Sequence, residues 1–144
     1  MVQQIMPEQI PKFWEAAKDL IEDTIPDIHG ESPQKMNNIL SKLLDGSMIL
    51  WVTFDGVKRK TNGLFITKVI EDDITEVKSL LMYAGHSYYS VGPETWMEGW
   101  EAMSKYGKNL GCKRMLVYTD VPFLVEQAKK FGGVVSYTFL DIPF

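Results

Sequence analysis

The sequence contains a single cysteine, Cys112, among its 144 residues. One thiol cannot form an intrachain disulfide, and a zinc site built from several cysteines is likewise excluded. Lys113 and Arg114 follow it and would lower the pKa of this thiol if they pointed at the sulfur. The simpler interpretation is a small buried residue at the start of a strand.

Basic residues and long apolar runs are also scarce. Fifteen Lys and Arg against nineteen Asp and Glu give a formal charge of −4, so we expect no nucleic-acid partner. The longest basic cluster, Lys58 to Lys60, follows the turn signal Asp55-Gly56 and is typical of a solvated hairpin. No apolar run reaches the length of a membrane span, and the first nine residues lack the order of a secretion signal. We expect one soluble, cytoplasmic domain over 1–144, with no membrane partner.

The first part of the chain has apolar residues at helical spacing. From Met6 to Ile25 apolar residues recur every three or four positions, which predicts a helix buried on one face and ended by Pro26. Ser32-Pro33 is a good start for a second helix, which Gly46 would end. Three strand candidates follow, and the turn signals between them predict an antiparallel meander. They are 47–54, 62–70 and 74–84.

The second half alternates helices and strands. Trp96, Trp100, Met103, Gly107 and Leu110 form one stripe and predict a helix from about Glu94 to Leu110. Residues 114–119 resemble a short buried strand. A further helix would begin near Pro122 and end at Gly132-Gly133, with Leu124, Ala128 and Phe131 facing inward. Residues 134–140, VVSYTFL, complete the set as a predicted last strand.

Two stretches of the second half carry a family resemblance, YGKNLGCKRMLVYTD (106–120) and AKKFGGVVSYTF (128–139). They are similar to the third helix with its following strand, and to the fourth helix with its following strand, in the GNAT superfamily of acyl-CoA-dependent acetyltransferases. The order of elements also matches, lacking only a first and a last strand. The resemblance implies an α/β (α+β) fold with a mixed, mostly antiparallel central sheet flanked by about four helices.

The resemblance also implies where acetyl-CoA would bind as co-substrate. In the family the sheet opens between the third meander strand and the next strand, and the pantetheine arm pairs with the backbone there. Here those residues are Leu81, Met82, Tyr83 and Ala84. The pyrophosphate would lie on backbone amides at the start of the following helix. That region contains Val91, Gly92, Glu94, Thr95 and Trp96.

The family's phosphate motif, Q/R-x-x-G-x-G/A, is absent from this region. Its positions fall near Val91, Glu94 and Trp96, where a carboxylate repels a pyrophosphate and an indole fills the space that glycine leaves open. The loop GHSYYSVG at 85–92 is a candidate substitute, because Gly85 and Gly92 permit unusual backbone angles. Tyr88 and Tyr89 would either stack on a ligand or cover the opening.

Acetyl transfer to an amine needs a base and an acid. The family's acid is often a Tyr in the fourth helix, but residues 121–131 contain none, so Tyr118 is the nearest phenol. His86 has a suitable unperturbed pKa for a base, and Glu94 is a second candidate beside its simpler role at a helix start. His29 lies in the loop between the first two helices, a region that shapes the acceptor site in the resembling family; the simpler expectation for it is a solvent-exposed loop residue.

Two functions remain open at this stage. The first is acetyl-CoA-dependent N-acetyl transfer to an unidentified small-molecule or peptide amine. The alternative is a catalytically inactive GNAT-fold protein with a binding or structural role, because the phosphate motif and the helical Tyr are both missing. A sheet edge is expected to be exposed after the last strand, and pairing in a homodimer would cover it.

Overall fold

Five strands and four α-helices follow one another in the computed structural model, which describes residues 1–57, 60–87 and 91–144. Two short 3-10 turns, Pro7–Gln9 and Asp27–His29, precede α1 and α2 respectively. In chain order the elements are β1 Val2–Ile5, α1 Ile10–Thr24, α2 Lys35–Asp45, β2 Met48–Asp55, β3 Lys60–Glu71, β4 Lys78–Ser87, α3 Pro93–Asn109, β5 Cys112–Val117 and α4 Pro122–Lys130. Among these helices, none combines the length and apolar character needed to cross a membrane.

The described strands form one sheet in the order β1-β2-β3-β4-β5. The first four strands pair antiparallel, and β5 pairs parallel with β4. The predicted meander and the mixed, mostly antiparallel sheet are therefore confirmed. β1 was not predicted, since its sequence VQQI is half polar. It pairs with β2 and buries Ile5.

β2 lies at the centre of two apolar layers. Leu50 and Val52 face α1 and α2 together with Ile66. Trp51 faces α3 and contacts Phe65, and its indole Nε1 donates a buried hydrogen bond of 2.9 Å to Thr67 Oγ1. The continuous apolar run of this strand therefore reflects cover on both faces.

The predicted strand at 134–140 is wrong. The described residues after α4 form no helix or strand, and Val134 and Tyr137 are 82% and 90% exposed. β-branched and aromatic residues favour a pleated surface only where a neighbouring strand supplies the ladder. β5, the last strand of the described sheet, has a neighbour on one edge only.

The elements next to that edge are less buried than predicted. β5 was expected to be a buried strand, but most of its residues are partly or fully exposed. α4 has no buried residue, and Ala128 is exposed rather than inward-facing. Leu110 is exposed as well, whereas Met103 and Gly107 of the α3 stripe are buried as predicted. Cys112 is buried at the start of β5, and burial raises the pKa of its thiol.

Replacing Gly107 by Ala is expected to stabilise the protein. A Cβ at this position would lie 3.5 Å from Leu80 and Cys112 side-chain atoms, which is an ordinary contact. Alanine is favoured over glycine within a helix by about 1 kcal/mol, so urea unfolding should show a gain of up to about that size. Gly63→Ala is the matched control and should lower stability, because its Cβ would lie 2.9 Å from the His86 carbonyl oxygen, which is too close for a Cβ. A loss of stability in Gly107→Ala would contradict the packing described.

Candidate functional site

Strand β4 extends past the end of its parallel neighbour β5, and we call the stretch of β4 beyond this pairing, 83–87, together with the end of β5, the opening. Their pairing runs from Lys78 opposite Cys112 to Met82 opposite Val117, where β5 ends, while β4 continues to Ser87. Of the four predicted pantetheine-binding residues, Leu81 and Met82 are the last two paired with β5. Tyr83 and Ala84 lie beyond the pairing and border the opening.

A β-bulge places Tyr83 at this opening. Ile66 of β3 lies opposite Ala84, and Thr67 lies opposite Met82, so Tyr83 has no partner in the register. A bulge releases a residue from the ladder and redirects its side chain. The Tyr83 ring packs against the α1 and α2 core, and its carbonyl accepts a hydrogen bond of 3.1 Å from His29 Nε2.

His29 is half-buried, so the expectation of a solvent-exposed loop residue was wrong. The turn Asp27–His29 after Pro26 folds the loop back onto the sheet. The imidazole stacks on the Tyr83 ring with centroids 3.8 Å apart and planes 13° apart. No helical or strand period marks a loop residue, which is why the sequence pattern missed this contact; Pro26 and Gly30 were the only local signals.

Burial lowers the pKa of His29 below its ordinary value, and the positive charge of Lys68 acts in the same direction. The hydrogen bond to the Tyr83 carbonyl opposes this shift without reversing it. His29 is therefore neutral at pH 7. A neutral imidazole that donates its Nε2–H to a carbonyl carries its lone pair on Nδ1, where it can accept a proton.

Tyr118 follows the end of β5 and lies near His29. The two ring centroids are 6.2 Å apart, and Tyr118 is 40% exposed. Phe139, from the segment after α4, contacts the Tyr118 ring with centroids 6.5 Å apart. The opening thus brings together one imidazole and two phenols, from the α1–α2 connection, β4 and the end of β5.

The other two candidate catalytic residues occupy different places. His86 was expected in a loop past the meander, but it lies in β4 opposite Leu64 and is exposed. Glu94 lies in the first turn of α3 and is also exposed. Among the described residues, the ring contacts that join His29, Tyr83 and Tyr118 do not extend to His86.

The first turn of α3 has the features of an anion site without a glycine motif. Gly92 is the N-cap residue and has no side chain to bond to the first amides of the helix. Pro93 is the first helical residue. Early N–H groups of a helix have no partner within it, so the backbone amides of Glu94 and Thr95 can face a ligand. The amide of Trp96 is the first that bonds back, to the Gly92 carbonyl at 3.2 Å.

Trp96 contacts α4 across this end of the molecule. Its ring meets Phe123 edge-on at a centroid distance of 5.8 Å, and its indole Nε1 is buried without a hydrogen-bond partner among the described residues. Trp100, one turn later, stacks on Phe131 at 5.3 Å, which confirms its packing role. Tyr88 and Tyr89 of the candidate substitute loop lie outside the described residues, as do Lys58 and Arg59 of the basic cluster.

A groove of about 200 Å³ lies on the α2 side of the sheet and is lined by His29 and Tyr83 as well. We call it the lysine groove, because its charged lining consists of Lys35, Lys42 and Lys68 with one carboxylate, Glu31.

No family model matches the sequence, and no curated protein is significantly similar to it. Solved structures do match. An aminoglycoside acetyltransferase from an uncultured soil metagenomic sample superposes with a TM-score of 0.71 at 14% identity, over 100% of this chain and 97% of the other. The chain has the GNAT fold.

Two further matches cover nearly the whole length of both proteins. A predicted acetyltransferase with acetyl-CoA from Clostridium acetobutylicum gives a TM-score of 0.70 at 11% identity, over 99% of this chain and 95% of the other. The glucosamine-6-phosphate N-acetyltransferase from Arabidopsis thaliana gives 0.66 at 10% identity, over 100% and 97%. The GNAT fold predicted from the order of elements is therefore confirmed, and the identities are low enough that similarity shows the fold alone.

Proposed function

We propose that this protein is an acetyl-CoA-dependent N-acetyltransferase that transfers an acetyl group to an amine. The observation that carries the proposal is the opening between β4 and β5, where the half-buried His29, held by the Tyr83 carbonyl, lies beside Tyr118. The solved structures that share the fold include acetyltransferases for aminoglycosides and for a sugar phosphate. These likenesses support the reaction class and leave the acceptor open.

The residues around the opening fit acetyl-CoA in two places. Backbone groups of Tyr83 and Ala84, which follow the paired Leu81 and Met82, border the opening and suit the amide-bearing pantetheine arm. In the stretch from Val91 to Trp96, the first-turn amides of Glu94 and Thr95 have no hydrogen-bond partner among the described residues and suit the pyrophosphate, since a helix N-terminus attracts anions. When bound, acetyl-CoA supplies the thioester whose acetyl group is transferred.

His29 is the proposed base. Its Nδ1 lone pair takes the proton from the acceptor's ammonium group, and the resulting amine nitrogen can then form its bond to the acetyl carbon. Its Nε2–H stays bonded to the Tyr83 carbonyl and fixes the orientation of the ring. This assignment replaces His86 and Glu94 as the first choice, because those residues are exposed, whereas His29 is half-buried and its ring contacts Tyr118.

Tyr118 is the proposed acid. Its hydroxyl gives a proton to the thiolate that leaves when the carbon–sulfur bond breaks. The acylated nitrogen loses its second proton to solvent as it becomes an amide, solvent returns a proton to the phenolate through its exposed side, and His29 releases its proton to solvent. The ring contact with His29 keeps the acid and the base on the same side of the opening.

A second function is favoured by one specific contact. Trp96 and Phe123 meet between the first turns of α3 and α4, next to the predicted pyrophosphate position. If this contact closes the opening, the protein uses the GNAT fold as a binding or structural unit without catalysis.

The reaction class is tested by release of CoA. Purified protein is mixed with acetyl-CoA and a panel of primary amines, and the free thiol is measured with a chromogenic reagent. We expect amine-dependent release for at least one class of acceptor, with the acetylated amine identified by mass spectrometry. The proposal would be contradicted if no amine increased the release of CoA at any pH from 6 to 9.

A further inference from the structure

We propose that the acceptor amine carries a second, anionic group, a carboxylate or a phosphate, and that the lysine groove binds this group between Lys42 and Lys68. The inference rests on the proposed function, because it names the class of acceptor. It concerns a different part of the site from the reacting atoms, so it can be tested separately.

Two elements of the fold place three lysines in the lining of the groove. Lys35 and Lys42 are seven residues apart on α2, which is close to two helical turns, and both line the groove. Lys68 of β3 lies opposite Met48, a residue of the α1 and α2 core, and therefore points to the same face of the sheet. Three lysines from separate positions therefore line one groove of about 200 Å³.

The residues that line the groove carry three positive charges and one negative charge, and Asp45 outside the lining lies close enough to Lys42 for their charges to interact. Glu31 is the single carboxylate in the lining, and it already forms an ion pair of 2.8 Å with Lys35. Lys42 and Lys68 form no ion pair among the described residues; the Lys68 Nζ lies 5.9 Å from the centroid of the Tyr83 ring. In a chain with a net charge of −4, this local positive excess is a property of the site.

The groove and the catalytic opening share two residues. His29 and Tyr83 line the groove and also lie in the cluster that contains Tyr118. A ligand held by Lys42 or Lys68 therefore has its other end next to the imidazole. The volume of about 200 Å³ suits a small acidic group, for which Ser32 and Asn38 in the lining offer further polar contacts.

The same charges disfavour a polycationic acceptor. Aminoglycosides, the acceptors named for two of the structures with this fold, carry several ammonium groups, which the three lysines would repel. An amine with an attached anion gains instead from charge-assisted hydrogen bonds to the ammonium groups. Carboxylate and phosphate share this chemistry, and the experiment separates them.

Matched amine pairs test the preference. Phosphoethanolamine is compared with ethanolamine, β-alanine with propylamine, and sisomicin serves as the polycation. We expect kcat/KM for the anionic member of at least one pair to exceed that of its partner by about tenfold or more, with the phosphate or the carboxylate pair showing which anion is preferred. Equal values within both pairs, or a preference for sisomicin, would overturn the proposal.

Charge-removing variants locate the effect. At a pH well above the acid limb set by His29, Lys42→Gln and Lys68→Gln should each raise KM for the preferred anionic amine by about tenfold while changing kcat little, because the anion binds alike before and during the reaction. Lys12→Gln removes the same charge from an exposed position of α1 and is the matched control. If Lys12→Gln raises KM as much as the two groove variants do, the assignment to this groove is overturned.

A binding measurement without acetyl transfer separates the two proposals. Inorganic phosphate and acetate are titrated in separate experiments at constant ionic strength, with chloride as the balancing anion, while the ring resonances of His29 are followed by NMR. Saturable shifts that the double variant Lys42→Gln, Lys68→Gln abolishes support the anion site, even if no amine is acetylated and the proposed function fails. Shifts no larger than those with chloride would overturn the anion site, even if neutral amines are acetylated.

Discussion

His29→Gln should lower kcat for acetyl transfer by about 10²- to 10⁴-fold, the usual range for loss of a positioned general base. The amide side chain keeps a donor for the Tyr83 carbonyl and much of the volume of the imidazole. It has no lone pair basic enough to take a proton from an ammonium group, so the chemistry is lost while the loop is retained. Single-turnover measurements with saturating acetyl-CoA report this step directly.

A comparison with His86→Gln decides between the two histidines of the chain. His86 is exposed on β4, and the account expects less than about a threefold change when it is replaced, as for most surface substitutions. A large loss in His86→Gln with normal turnover in His29→Gln would return the base to the residue that the sequence first suggested.

The pH dependence of kcat/KM tests independently whether His29 is the base. Burial, assisted by Lys68, lowers the pKa of His29, so its basic form persists below the ordinary histidine value of 6.5. kcat/KM should therefore fall on the acid side with an apparent pKa below 6.5, and Lys68→Gln should move this limb to higher pH. The role of His29 would be contradicted if the acid limb of kcat/KM had an apparent pKa at or above 6.5 and Lys68→Gln did not move it.

Tyr118→Phe should lower kcat by about 10²-fold or more, in the range for a lost general acid. The substitution removes only the hydroxyl and keeps the ring that contacts His29 and Phe139, so folding and binding of the acceptor should change little. The measurement is again the single-turnover rate, together with KM for both substrates.

Tyr137→Phe is the matched control for Tyr118→Phe, since Tyr137 is 90% exposed in the segment after α4. It removes the same group at a position outside the opening and should leave kcat unchanged. An undiminished kcat in Tyr118→Phe would mean that the thiolate leaves without this acid, and the phenol would then serve packing alone.

The parts of the fold that sequence predicted are those with a strong local period. The stripe through Met103 and Gly107 gives α3, and the continuous apolar run from 48 to 53 gives the doubly covered β2, because burial imposes the spacing directly. β1 and the residues at 134–140 mark the limit. VQQI becomes a strand because β2 pairs with it, while the more strand-like VVSYTFL has no such neighbour within the described residues.

The candidate site was harder to predict than the fold, for a physical reason. Tyr83 was expected from its place on the third meander strand, and Tyr118 from its place after β5, because both positions follow from the order of elements. His29 depends on how a loop folds over a bulge in a strand 54 residues away. Such a contact leaves no periodic signal in the sequence, and only the assembled structure brings the imidazole to the Tyr83 carbonyl.

The proposed function requires that acetyl-CoA binds to the protein, and calorimetric titration measures this binding directly. The variants Trp96→Gly and the milder Phe123→Ala are titrated alongside the natural chain. We expect saturable binding by the natural chain, with a Kd between about 1 µM and 1 mM, the usual range of KM for enzyme substrates. Binding should weaken when Thr95 is replaced by Pro, which removes a first-turn amide. No binding by the natural chain, with binding appearing once the Trp96–Phe123 contact is opened, would contradict acetyl transfer and establish the closed, non-catalytic use of the fold.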